Sequence, residues 1–570
     1  MAVFGFRELF ASMYIPGLSP VLSTITCLAG VLLFLAWQRH SRATSVPRLG
    51  PLLTIPLLGD VAWLAADPTR FVFGRFQRYG PTFILNLMGV PLYVLTQPAD
   101  LRGPYRDQGA EPDVPFSSFR RLMEVAPGRP YDVQADKAAH GPWRRMFLSA
   151  LGPAGLQALL PRAQAVMQAH LAQWEAAGTA AGGRSGGGCI PSLFRQVRLL
   201  SVDLAIEVIA EVPLPPGVER IAFREQLLCF LDGLFGLPLA LPGSSVARAL
   251  AAKEELVAAL GPLVAADRQR MAKRWRAAGS SYAALVDTLT AASAAVGGSA
   301  AAEAAAGVQA AEPSAAAAAR VTVRDAVISG FMALGFESER AAAVSVLHAV
   351  VAGADTTRFA LFNTLALVAM SARVQEEIFA EQERVVAEHG PELSARVLGS
   401  AAITPYLDAV VREAMRLLPA TPGNMRRLTA DLRVGAGRGG PASELVIPKG
   451  SMVWRFVPLM HCLDPVLWDG DTSVDVPAHM DWRSNFEGAF RPERWLSEDT
   501  KPKYYYTFGS DNHLCVGQNL AYMEVKLLLA MLLRKYRLQL HTPDMLARAS
   551  QMFPFVIPRR GTDRVLLEPR

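Results

Sequence analysis

The 570-residue chain is 51% hydrophobic and 19% charged, which excludes a disordered protein and allows a large buried core. Its formal net charge of +6 is a mild excess. With no long Lys/Arg block and no zinc-ligand spacing, it points away from nucleic acid as a partner. Five scattered cysteines, Cys27, Cys189, Cys229, Cys462 and Cys515, argue against a disulfide framework and for a reducing compartment.

In chain order, Ile15 to Trp37 carries no charge and is long enough to cross a bilayer, which takes roughly 20 residues. Arg39, His40, Arg42 and Arg48 follow, the flank expected on the cytoplasmic side. Residues 1–45 therefore read as a single N-terminal transmembrane helix with a basic flank. A cleaved signal peptide and an organelle transit signal are the alternatives. Pro47, Pro51 and Pro56 make a stiff hinge. Thr82 to Thr96 alternates as two short strands about a Gly-Val-Pro turn. Trp143 to Val212 is mostly helical, interrupted by the Gly-rich stretch 178–188. Residues 291–319 are nearly all Ala, Gly and Ser, a surface insertion with nothing to pack. A long apolar helix covers Ala341 to Met370, irregular Pro-rich sequence covers Leu463 to Tyr506, and a last helix runs from Val516 to Tyr536. The fold class is mainly α with a minor β region.

Three constellations carry chemistry. In Phe508-Gly-Ser-Asp-Asn-His-Leu-Cys515-Val-Gly517, a cysteine precedes a strongly amphipathic helix. Loop and helix-start N–H groups there favour a thiolate, which can ligate haem iron, and Gly517 permits close approach of a flat group. A free structural cysteine is the bland alternative. In Glu413-Ala-Met-Arg416, the two charges share a helix face, and Phe490-Arg-Pro-Glu-Arg494 can bring a second guanidinium to the same carboxylate. A solvated surface ion pair is the alternative. In Ala352-Gly-Ala-Asp355-Thr356-Thr357, an acid and a hydroxyl interrupt an apolar helix. They read as a hydrated proton path, or as a kink with Thr356 bonded back to an earlier carbonyl.

Together, and in this order along the chain, these motifs resemble the cytochrome P450 superfamily from about Leu49 to the C-terminus. The resemblance implies that family's fold over 46–570, a haem domain holding haem b, with Cys515 as the axial ligand. It implies that His140, Trp143 and Arg144 face one haem propionate and Arg426 the other, that Phe508 and His513 border the cofactor, and that Glu413, Arg416 and Arg494 are structural. Asp355 and Thr356 would be catalytic. Two positions depart from the usual pattern: Asp511 stands where Gly is usual, and His513 where Arg is usual.

The implied reaction inserts one atom of O2 into a hydrophobic substrate, with electrons from a membrane-bound flavoprotein reductase that uses NADPH. Pro419-Ala-Thr-Pro-Gly-Asn-Met-Arg426 and the apolar run 234–243 are similar to the branch of sterol, brassinosteroid and retinoic-acid hydroxylases, which implies an isoprenoid or sterol-like substrate. Pocket candidates are Phe116, Phe119, Leu234, Phe235, Ala352, Met552 and Phe553. Arg145, Lys526 and Lys535 are the expected cationic face toward the reductase. The expected location is the endoplasmic reticulum membrane with the haem domain facing the cytoplasm, or an organelle envelope. A haem-thiolate lyase or isomerase, and a non-catalytic membrane haem or lipid carrier, are the rival functions. Asp355 and Thr356 argue against the lyase.

Overall fold

The computed structural model describes residues 59–570 apart from 88–89, 107–109, 113–116, 127–128, 131–136, 181–186, 214–217, 237–239, 280, 282, 290, 292–319, 334–337, 436–444, 547–549 and 553–554. The expected anchor, the Pro hinge and nearly all of the Ala-rich insertion therefore lie outside the described residues. Among the described residues, no helix is long and apolar enough to cross a membrane.

The elements used below are, in chain order, α1 (Pro68–Tyr79), β1 (Thr82–Leu87), β2 (Val90–Leu95), β3 (Ala110–Pro112), β4 (Glu124–Ala126), α2 (Lys137–Ala150), α3 (Pro153–Ala180), β5 (Gly188–Ile190), α4 (Leu193–Leu204), α5 (Val218–Gly233) and α6 (Ser245–Ala277). They continue with α7 (Val323–Ala333), α8 (Glu339–Met370), α9 (Ala372–His389), α10 (Pro405–Leu417), β6 (Met425–Leu428), β7 (Met452–Trp454), α11 (Gln518–Leu533), β8 (Tyr536–Leu540) and β9 (Val565–Pro569).

Two compact units result. The smaller comprises residues up to Pro115 together with 424–459 and 551–554. It is built on a five-stranded sheet of order β1-β2-β7-β6-β3. β1 and β2 pair antiparallel from Thr82 opposite Leu95 to Leu87 opposite Val90, the hairpin that the alternation predicts. β7 joins β2 in parallel, Val453 opposite Tyr93. Asp60 helps tie α1 to this sheet, accepting from Arg75 at 3.1 Å and from the Asn86 N–H at 2.7 Å.

The larger unit comprises 116–423, 460–550 and 555–570 and is mostly helical. Its axis is α8. Ser338 starts this helix by accepting from the Ala341 N–H at 3.2 Å, as N-cap serines do. Ser371 closes it and caps α9 through the Val374 N–H at 3.3 Å. α8 is buried on nearly every side, as expected of a helix that is apolar all round. α11 is the same: Leu520 and then every residue from Tyr522 to Leu533 are buried. A small sheet of order β8-β9-β5 closes the unit. Between α10 and α11 the irregular stretch is held by side chains. Asp464, for example, accepts from the N–H groups of Val466 and Leu467, at 2.9 and 3.2 Å, and from that of Tyr504 at 2.5 Å.

Candidate active site

The site begins with a carboxylate that has no contact with water. α10 is strongly amphipathic in sequence and presents Glu413 and Arg416 inward, both 0% exposed. Arg416 grips Glu413 with Nε and Nη2, each at 2.9 Å. Arg494 adds its Nε at 2.7 Å. Trp495 Nε1 donates at 2.9 Å and the Arg491 N–H at 3.2 Å. Burial alone would raise the Glu413 pKa, but the two guanidinium groups and the indole hold it below the ordinary range. Arg416 spends its remaining donors on the carbonyls of His479, at 2.7 Å, and Ala489, at 3.1 Å, and on Met480 Sδ.

The network reaches the cysteine loop through His461. Its Nε2 accepts from the Tyr506 N–H at 3.1 Å. Nδ1 must then carry the proton and donate to the Arg416 carbonyl at 2.8 Å. Burial pushes the His461 pKa down to about 3, so the ring is neutral. Thr507 Oγ1 donates to the Met415 carbonyl at 3.0 Å. The end of α10 is thus fastened to the residues just before Phe508.

From there the chain turns sharply. Gly509 has φ +86° and Asp511 φ +55°. The Cys515 N–H donates back to the Phe508 carbonyl at 2.8 Å. The left-handed backbone at Asp511 accounts for Gly being the usual residue there; an aspartate tolerates it better than most side chains. Cys515 stands at the entrance to α11 and is accessible, although protein surrounds it. Loss of hydration raises its thiol pKa; the Gly517 N–H and the Arg144 charge pull the other way. Within the protein, a Cβ at Gly517 would meet nothing nearer than Cys515 Sγ at 3.8 Å.

α2 brings two of the predicted residues, His140 and Arg144, to this loop, with Trp143 packed beside His140. His140 lies against His513, ring centroids 4.7 Å apart. Trp143 packs 6.1 Å from His140 and 4.5 Å from Phe147. Arg144 Nη1 donates to the Leu514 carbonyl. Phe508 packs on Tyr522, 5.1 Å away. Arg426 is on β6 of the smaller unit, buried, where it donates to the Ala110 carbonyl at 3.4 Å and lies 5.1 Å over the Tyr105 ring.

α8 passes next to α11. Most of its middle is buried, but Ala352 is exposed and Gly353, Asp355 and Thr356 are partly so. Gly353 leaves room for Ile209, whose Cδ1 would lie 1.9 Å from a Cβ there and would have to turn aside. Thr356 Oγ1 donates to the Ala352 carbonyl at 2.6 Å, the back-bond weighed above. Its lone pairs remain for a further donor. Burial raises the Asp355 pKa; Arg358, 3.7 Å away, and Arg198 oppose it. Arg198 in turn bonds Asp232 on α5, so a chain of charges leads from Asp355 outward.

The family model described as Cytochrome P450 matches residues 337–471 and 488–563, the segments that hold α8, the Glu413 network and the cysteine loop. An abscisic acid 8'-hydroxylase 2 from Oryza sativa subsp. indica is 25% identical over 537 residues, 93% of this chain and 88% of that protein. Over residues 337–471 and 488–563 the chain is similar to the cytochrome P450 family, and it spans about a third of the length of the first curated relatives it matches. Some relatives match only locally: a putative cytochrome P450 of Caenorhabditis elegans is 31% identical over 198 residues, and the match spans 33% of that protein. The retinoic acid bound cyanobacterial CYP120A1 shares the fold, with a TM-score of 0.62 at 20% identity over 90% of this chain and 98% of that one.

The family implies haem, and the residues present fit it. An accessible cysteine at a helix start, a histidine pair with an arginine and a tryptophan beside it, and an exposed alanine on a buried helix suit a thiolate-ligated porphyrin with acidic side groups. Of the pocket candidates, Leu234 is buried, and the Phe119 and exposed Phe235 rings lie 6.0 Å apart. Met552 ends a short strand, its side chain undescribed; Phe116 and Phe553 lie outside the described residues. Lys526, expected on an outer cationic face, is instead buried against Asp408 Oδ1 at 2.5 Å and the Leu398 carbonyl at 3.1 Å, because α11 has no solvent face there.

Sequence reasoning missed His461, Trp495 and Glu524. Glu524 on α11 is fully buried and accepts from Thr357 Oγ1 of α8 at 3.2 Å. A lone acid in an apolar helix was the available signal.

Removing Arg416 strands a buried carboxylate, at a cost of about 3–5 kcal/mol. Arg416→Ala is expected to give insoluble or haem-free protein; soluble protein with one haem per chain would contradict the assignment. Glu524 gives a pH prediction. Burial raises its pKa from 4.5 to about 8, so the folded protein keeps a proton that the unfolded chain releases. That stabilisation is complete below the unfolded value and is lost as pH rises through about 8. The thermal midpoint of the wild type should fall over this window, and that of Glu524→Gln should fall less. Parallel pH profiles would refute the buried neutral acid.

Proposed function

We propose that this cytochrome P450 hydroxylates an isoprenoid-derived hydrophobic substrate, using O2 and electrons passed from NADPH by a flavoprotein reductase. The observation that carries the reading is the joining of Cys515 to the Ala352–Thr356 stretch, through α11 and the Thr357–Glu524 hydrogen bond. The proposed ligand thus stands just before one helix of a packed pair, and the proposed proton path lies on the other.

Haem bound here supplies the oxidising chemistry. Cys515 would hold it as thiolate, and His140, Trp143, Arg144 and His513 would meet its acidic groups. Thr356 Oγ1 holds a water in the open stripe of α8. Asp355 keeps its proton to higher pH than a solvated carboxyl does and passes it along that stripe. Ala352 leaves room for substrate, and Phe119, Leu234 and Phe235 supply apolar surface. The isoprenoid class is supported by relatives named for abscisic acid and by the fold neighbour named as bound to retinoic acid.

The apolar segment 15–37 would anchor the chain, with the haem domain on the cytoplasmic face of the endoplasmic reticulum. The reductase would meet the α11 side, where a cavity of about 990 Å³ is lined by Arg145, Arg396, Arg412 and Met523. Arg145 and Lys535 are exposed there or close by in sequence. Such charge steering weakens with salt.

The ligand assignment is tested on purified protein. The reduced carbonyl complex should show the red-shifted Soret band of thiolate ligation. Cys515→Ala should abolish that band, while substitution of Cys27, Cys189, Cys229 or Cys462 leaves it. A Cys515→Ala protein that keeps the band sinks the reading. The proton path is tested separately: Thr356→Ala should still consume NADPH with its reductase but lose about tenfold or more of its product per NADPH, releasing hydrogen peroxide. Unchanged coupling would remove Thr356 from the path.

A further inference from the structure

α6 turns Val246, Ala249, Lys253, Leu256 and Leu260 into the protein, the spacing of a core-facing stripe. All but one of these are apolar. Lys253 is only 5% exposed. Its Nζ donates to the Glu124 carbonyl at 2.7 Å and makes no ion pair among the described residues. Glu254, the next residue, is taken by Arg340 at 2.6 Å. An ammonium has three donors, so most of its hydrogen-bonding capacity has no acceptor there. Loss of hydration, aided by the Arg340 charge, brings the Lys253 pKa down to about 8; Glu254 and Glu124 oppose this from a distance. A buried cation so poorly matched is costly and calls for an anion.

The surroundings say where that anion comes from. His348 of α8 is buried near Lys253, and its pKa is pushed down to about 3, first by burial and then by the Lys253 charge. It is a neutral imidazole. One turn later on α8 comes the exposed Ala352, and Ser345, Ala349 and Thr356 lie along the same less-buried stripe. β4, which supplies the Glu124 carbonyl, follows the short helix Ser117–Leu122 that carries Phe119. The end of α5 meets the same place: a Cβ at Gly233 would lie 2.2 Å from Ala249 Cβ and 3.3 Å from Leu122 Cδ1. The cation therefore sits at the edge of the apolar region formed by Phe119, Leu234 and Phe235.

We propose that Lys253, with His348 beside it, anchors a carboxylate at one end of an apolar substrate, so that the substrate is an isoprenoid carboxylic acid and not a hydrocarbon or an alcohol. This rests on the reading that the open stripe of α8 is the substrate site. The ion pair forms only when the acid enters, and it supplies the counter-charge that the α6 face lacks. Lys253 is a specificity-determining residue and takes no part in proton transfer.

The test is a titration of the full-length holoenzyme, followed by the spin-state shift of the haem. The probes are retinoic acid, methyl retinoate and retinol, and abscisic acid with its methyl ester. In the wild type at least one acid should bind about tenfold to a hundredfold more tightly than its ester or alcohol. Lys253→Met and Lys253→Gln should bring that ratio close to one and leave ester affinity unchanged, while Lys253→Arg keeps the preference. A wild-type ratio near one, a preference that survives in Lys253→Met, or no shift with either acid overturns the proposal. The wild-type comparison decides even where a variant fails to load haem. An acid preference without any turnover would sink the monooxygenase reading and leave the anchor standing; turnover of neutral probes without acid preference would sink the anchor alone.

Discussion

The buried Glu413 carboxylate is the constraint to which the cysteine side of the protein answers. A fully desolvated charge is tolerable only when its donors are all in place. Here they come from α10 itself and from Arg491, Arg494 and Trp495, far along the chain. Satisfying one carboxylate therefore orders a long stretch that has little regular secondary structure. The order extends through the neutral His461, which bonds the Arg416 carbonyl on one side and the Tyr506 N–H on the other. Nine residues later stands Cys515. Its position is inherited from a charge it never touches.

This explains which parts of the site are legible in the sequence. Glu413 and Arg416 are three apart on a helix, so spacing pairs them, and Arg494 belongs to a recognisable Pro-containing motif that offers a second guanidinium. His461 and Trp495 come from segments without periodicity, where spacing says nothing about proximity. The strands of the β1–β2 hairpin and α8 are legible because a period of two or an all-apolar run leaves few alternatives; α11 is legible as a helix, but its expected amphipathic character gives way to burial of Leu520 and of every residue from Tyr522 to Leu533. Lys526 shows the limit of that reasoning. A lysine near the end of a chain looks like surface, but α11 is enclosed on all sides and Lys526 is matched by Asp408 on α10.

The two enclosed helices, α8 and α11, share a physical feature. Each is apolar enough that any ionisable residue in it stands out energetically. α8 carries His348, Asp355 and Arg358 in its middle, and α11 carries Glu524 and Lys526. Each has its charge suppressed or matched. His348 is neutral, Glu524 keeps its proton, Asp355 faces Arg358, and Lys526 meets Asp408. Lys253 on α6 fits this pattern least well, since a single carbonyl is its only hydrogen-bond acceptor among the described residues.

The adjacent threonines of α8 show how finely that separation runs. One step along a helix turns a side chain by about 100°. Thr356 points along the open stripe and returns its proton to the Ala352 carbonyl, leaving lone pairs for a mobile donor. Thr357 points into the core and donates to Glu524. If Thr357 were the residue on the open stripe, Glu524 would lose the one side-chain donor that stabilises it, and α8 would lose its polar tie to α11. A slip of one residue in α8 would therefore misplace the proposed proton path and also loosen the helix that follows the cysteine. Gly353 suits the same register, since a Cβ there would lie 1.9 Å from Ile209 Cδ1 and that side chain would have to turn aside. The Thr357–Glu524 bond thus sets which of the two hydroxyls faces the open stripe, and that is the one proposed to hold a proton path.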